Sequence, residues 1–134
     1  MKRSSISTNF IMFIALTGLV LSACEKLELG KEFTIKIGED KKINSHLSFK
    51  IDNLSDSRCP ANMNCLTGGD VTLFFNIEHS NHHIDKVVSF NENQHNPFSY
   101  DGYLWKILEV NPYPFTSETL DPMDFTIKMV ITKD

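Results

Sequence analysis

The sequence predicts an all-β fold, a small antiparallel β-sandwich, and three features predict it. Apolar residues recur at every second position in five separate runs. That period puts one face of a strand on a core and the other in water. Beyond residue 24 no stretch carries a convincing helical period, and turn-forming residues separate the runs. Six or seven short strands without helices suit an antiparallel sandwich. An immunoglobulin-like arrangement is one candidate topology, and a small closed barrel is the alternative.

The strands follow in order. Phe33, Ile35 and Ile37 alternate with Thr34 and Lys36, and Leu47, Phe49 and Ile51 with Ser48 and Lys50. Val71, Leu73, Phe75 and Ile77 form a longer stripe opposite Thr72, Asn76 and Glu78. Ile84, Val88 and Phe90 come next, interrupted by Lys86. Asp101-Gly102 is a strong hairpin dipeptide, because glycine takes the positive φ such turns require. It predicts a short strand around Phe98–Tyr100 paired with Tyr103–Val110, which is apolar on both faces and reads as the most buried strand. Pro112 and Pro114 end pairing there, since proline donates no ladder hydrogen bond. Residues 117–124 have room for at most one helical turn, before Pro122. Phe125, Ile127, Met129 and Ile131 make the last strand.

The N-terminus speaks to location. Lys2 and Arg3 precede an apolar run, Phe10–Val20, and then the small residues Ser22 and Ala23 before Cys24. This is the layout of a secretion signal. The run falls short of the ~20 residues a membrane-spanning helix needs. Leu21-Ser22-Ala23-Cys24 resembles the lipobox of bacterial lipoproteins. The resemblance implies cleavage before Cys24 and acylation of its thiol, with chains that each bury methylenes worth about 0.8 kcal/mol apiece. The expected organisation is a lipoprotein signal peptide (1–23), a short charged lipidated tether (24–32) and a single β-sandwich domain (33–134). The expected site is a bacterial cell envelope, membrane-anchored, on the periplasmic side or the cell surface.

Charge narrows the partners. The full chain carries a formal charge of −4. Loss of residues 1–23 removes two basic and no acidic side chains, leaving 11 basic against 17 acidic, or −6. An acidic exterior argues against nucleic acid.

With Cys24 given to lipid, Cys59 and Cys65 remain as an even pair in an oxidising compartment, and a disulfide is the simplest outcome. A zinc site would want about four ligands and closer cysteine spacing. A redox pair would want C-x-x-C at a helix N-terminus. Around the cysteines, Asp56 and Ser57 are turn formers, Pro60 stiffens the loop, and Gly68-Gly69 supply turn geometry. Asp56 and Arg58 are placed to pair. One reading of the loop is a structural clip. The other is a rigid, exposed tip presenting Arg58, Asn62 and Met63, beside Asp56, to a partner.

Asp56-Ser57-Arg58-Cys59-Pro60, then Cys65 and Gly69-Asp70, resembles a motif of small exported bacterial proteins, often lipoproteins, of the form D-S-R-C-P, five residues, C-x-W-A-G. Pro112-Tyr113-Pro114 matches a second feature of that group. Thr67 stands where the group has its tryptophan. The resemblance implies a fold and a location and carries no reaction with it.

Other clusters carry chemistry-bearing side chains. His79, His82 and His83, with His95 nearby in sequence, could bind copper or zinc if a hairpin tip gathers them, or simply be a solvated turn. Glu118, Asp121 and Asp124 recur at intervals of three, as an oxygen-rich calcium site or a solvated loop. Phe98, Tyr100, Tyr103 and Trp105 read as core rather than a stacking platform. No G-x-S-x-G, H-E-x-x-H or phosphate-cradling loop is present, so no enzyme is expected, a small envelope hydrolase ranking last. The expected function is binding: a lipid-anchored module with an envelope protein partner, no cofactor beyond the lipid, and a copper or zinc lipoprotein as the alternative.

Overall fold

The computed structural model describes residues 26–94 and 97–134. Cys24, the signal segment and His95 lie outside the described residues. Eight strands are described: β1 (Glu32–Lys36), β2 (Lys41–Lys42), β3 (Leu47–Asp56), β4 (Val71–His79), β5 (His82–Phe90), β6 (Phe98–Tyr100), β7 (Tyr103–Asn111) and β8 (Thr126–Lys133). They form two four-stranded sheets, ordered β1-β8-β7-β6 and β2-β3-β4-β5, antiparallel at every pairing. The sheets do not close into a barrel.

Tight turns explain this order. Ser80-Asn81 joins β4 to β5 with φ of 49° and 68°, and Asp101-Gly102 joins β6 to β7 with φ of 51° and 73°. Two consecutive positive φ values match the right-handed twist of a hairpin, so successive strands become neighbours. Each sheet is therefore a meander, with β1 added beside β8. A Greek-key immunoglobulin order would interleave strands distant in sequence throughout, whereas here β1 beside β8 is the one such pairing among the described strands.

The inner faces meet through aromatic rings. Phe49 of β3 lies 4.7 Å from Trp105 of β7, and Phe75 of β4 lies 5.7 Å from Phe98 of β6, both edge-on. Phe33 adds a contact at 6.4 Å from Phe49. Trp105 is completely buried, and its indole N–H reaches the Tyr100 carbonyl at 3.4 Å. The aromatic group around Asp101-Gly102 is thus core. Lys86, which breaks the alternation of β5, points inward with its ammonium 5.0 Å from the centroid of the Phe98 ring. An inward lysine on an edge strand discourages further pairing along that edge.

Three expectations need correction. Residues 26–32 do not form a free tether: Leu27 is buried in the core cluster, Gly30 donates to the Ile131 carbonyl at 2.8 Å, and β1 begins at Glu32. Tyr103–Val110 is not the most buried strand. β7 buries Trp105, Ile107 and Val110, and its outer face is half-exposed, because only one face of the sheet is covered. The helical turn lies at Pro122–Asp124, not ahead of Pro122. Proline suits a first helical position because its missing N–H is not needed there, and Asp121 caps the turn by accepting from the Met123 amide at 2.9 Å.

Candidate functional site

The register separates two ends of the sandwich. At one end, Leu47 pairs with His79, the Tyr103 hydroxyl accepts from Asn44, and Gly102 accepts from Asp134. The described chain both enters and leaves there, since Glu32 pairs with Val130. At the other end, Asp56 pairs with Val71 and Asn111 with Thr126, and these residues open into the cysteine loop and the β7–β8 connection. An eight-residue strand separates the ends by about 25 Å.

Cys59 and Cys65 are joined by a disulfide with their Cα atoms 5.9 Å apart. Ser57 and Asp70 close the base of this loop with reciprocal hydrogen bonds of 2.8 and 3.1 Å through the Ser57 hydroxyl. Gly69, at φ +67°, passes so close to the Ser57 carbonyl that a Cβ there would stand 1.9 Å from it. Glycine is therefore obligatory at that crossing.

Arg58 is the centre of the arrangement. It is 6% exposed, the one charged residue buried among those described. Its guanidinium grips Asp56 through Nε at 2.9 Å and Nη2 at 2.7 Å, a bidentate pair. Nη1 donates to the Val110 carbonyl at 2.8 Å, Nη2 to the Pro112 carbonyl at 2.9 Å, and Glu92 approaches Nη1 at 3.3 Å. The cation sits 4.8 Å from the centroid of the Tyr113 ring, and the Tyr113 hydroxyl donates to the Cys59 carbonyl at 2.9 Å. The Asn111–Pro112 peptide is cis. Ala61 and Asn62 amides donate to the Pro114 and Phe115 carbonyls at 3.0 and 3.2 Å. The two motifs that carry the resemblance, 56–60 and 112–114, thus clasp each other directly.

For Arg58 and Asp56 this fits the clip and overturns their presentation to a partner at an exposed tip. A lysine ammonium, with three donors on one atom, could not grip the carboxylate bidentately while also reaching both carbonyls and Glu92, whereas a planar fork of five donors can. With every direction of that fork used, the side chain is not presented outward. Asn62 is exposed and Met63 is 53% exposed, so the tip does present apolar surface. Phe115 and Leu66 stand out from the same end. Tyr113 and Glu92 were missed as partners of Arg58. Tyr113 was visible in the Pro-Tyr-Pro run, but nothing local to Glu92 distinguished it.

Beside the clasp runs an open groove of about 520 Å³, lined by Leu54–Ser57 of β3 and its exit and by Pro114 and Thr116–Leu120 of the β7–β8 connection. Exposed Met63 and Leu120 and buried Phe125 also line it.

Of the described candidate histidines, two face each other across the β4–β5 hairpin and the third does not join them. His79 and His82 are cross-strand partners, while His83 pairs with Glu78 on the opposite face of the sheet. His79 lies 3.6 Å from Asp101. Among the described residues no three histidine, cysteine, aspartate or glutamate side chains converge as a metal site, Glu118, Asp121 and Asp124 included.

Fold and site define a disulfide-clasped, meander β-sandwich with one elaborated end. The chain matches no family model, no curated protein and no solved structure.

Proposed function

We propose that this chain is a lipid-anchored protein of a bacterial envelope whose β-sandwich acts by binding another envelope component through the clasped end. The observation that supports this reading is the polarity of the domain. The chain enters at one end, near Leu27 and Gly30, and the rigid loop with its exposed apolar side chains lies at the other. Acylation at Cys24 would then hold the first end at the bilayer and turn the clasped end outward. Confinement to a surface raises the effective concentration of the module for a neighbour without any added contact. The activity assigned is binding, not catalysis.

Two measurements test the reading. Cys24→Ser moves the protein from the membrane to the soluble fraction; retention in the membrane refutes the anchor. A photo-crosslinking side chain at Met63 gives a discrete adduct in whole cells, and one at His83, at the far end, does not. Equal labelling from both ends refutes the binding face. Met63 with Asn62 is the pair to vary in follow-up, because Arg58 holds the loop together.

A further inference from the structure

We infer that the groove beside the clasp takes an extended, basic segment of a partner protein, added as a strand along the open edge of β3. The inference rests on the reading of the domain as a binding module and names the chemistry of what it binds.

The backbone supplies the first argument. β2 is two residues long and covers only Ser48 and Phe49 of β3. Gly38 then donates to the Ile51 carbonyl at 2.8 Å. Beyond the register shift between Ile51 and Asn53, no strand among the described residues flanks Asn53–Asp56 on the side away from β4. The Leu54 amide is met instead by a side chain, donating to Asn53 Oδ1 at 2.8 Å. A partly open sheet edge facing a groove is the setting for strand addition, in which main-chain hydrogen bonds give affinity and alternate side chains give specificity. The opposite edge of the same sheet, β5, is guarded by the inward Lys86.

Side chains supply the second. Met63 and Leu120, 53% and 37% exposed, line the groove together with buried Leu54 and Phe125, so an added strand meets apolar surface there. Charge supplies the third. Glu118 lines the groove, and Asp121 and Asp124 follow in the same connection. From Asn111 to Ile127 the sequence contains no lysine, arginine or histidine, and the cysteine loop's sole cation, Arg58, is buried and already paired. Carboxylates left uncompensated beside a groove select a partner that carries lysine or arginine, and like charge suppresses an acidic one.

The test uses the full chain in mild detergent and a fluorescein-labelled octapeptide alternating lysine and valine, followed by anisotropy. The same length alternating glutamate and valine, and the lysine peptide N-methylated throughout, serve as comparators. The lysine peptide is expected to bind at least ten-fold tighter than either, and to weaken at least five-fold between 50 and 300 mM salt. Ser117→Trp, which fills the groove, and the paired change Glu118→Lys with Asp124→Lys, which leaves packing alone, should each weaken it at least five-fold with the melting temperature unchanged. Equal affinity for the lysine and glutamate peptides overturns the inference, as does full binding by the paired variant. So does tight binding of the N-methylated peptide. None of these outcomes touches the Cys24→Ser fractionation or the crosslinking contrast, so failure of the groove and failure of the module are separable.

Discussion

Replacing Arg58 by alanine removes six polar contacts and leaves their acceptors in place. The Asp56 carboxylate, whose side chain is 12% exposed, loses its bidentate partner, and the Val110 and Pro112 carbonyls lose their donors. Breaking a buried ion pair from one side costs about 3–5 kcal/mol, because the remaining charge is stranded. Water can reach part of Asp56, and Glu92 is half-exposed, so the lower end applies, about 3 kcal/mol. That is a large share of the ~5–15 kcal/mol that holds a domain of this size. It corresponds to a fall of about 12 °C in melting temperature. Trp105, the sole tryptophan and fully buried, gives the assay its signal: urea unfolding followed by indole fluorescence, without reductant. Arg58→Lys keeps the charge but not the fork, and about half the loss is expected. In a double-mutant cycle with Asp56→Ala the coupling should exceed about 1 kcal/mol. A loss below about 1 kcal/mol for Arg58→Ala would refute the account of Arg58 as the clasp.

Three more outcomes are expected. Gly69→Ala places a Cβ against the Ser57 carbonyl at a positive φ, so it should cost well over ~1 kcal/mol in the same urea assay, whereas Gly68→Ala, with open space around it, should cost less. Removing both Cys59 and Cys65 as serines should cost about 2 kcal/mol, the entropy of so small a loop, and reductant should lower the wild type equally while leaving the variant unmoved. Glu39 is held below the ordinary carboxylate range first by its hydrogen bond from Lys41, against an opposing push from burial. A depressed carboxylate stabilises the fold above its unfolded pKa, and that contribution disappears as pH falls through the folded value. An NMR titration should show the Glu39 midpoint rise in Lys41→Met.

How far the sequence reached depends on the range of the interaction concerned. Alternation at period two is local, so Val71–Ile77 and Phe125–Ile131 could be assigned to strands with an inner face, and Asp101-Gly102 to a hairpin, from neighbouring residues alone. The Cys59–Cys65 bond was legible because reading Cys24 as lipidated leaves a single pair, only six positions apart in sequence. Leu27 escaped notice because a lone leucine among charges has no period, and its burial depends on a slot built by other strands. Arg58 was misplaced for the same reason. Its Asp56 partner is two residues away and was legible, but the carbonyls of Val110 and Pro112 lie over fifty positions along the chain. A charged side chain in a loop reads as solvated unless distant acceptors replace its water, and only the packing of the two sheets brings those acceptors within reach. The sequence by itself determined seven of the eight strands, missing only the two-residue β2, together with the hairpin turn at Asp101-Gly102 and the staple, all of which are set by contacts between neighbours. The tertiary structure alone decided the meander order, the inward turn of Arg58 and the groove along β3, because each depends on surfaces that do not exist until the two sheets meet.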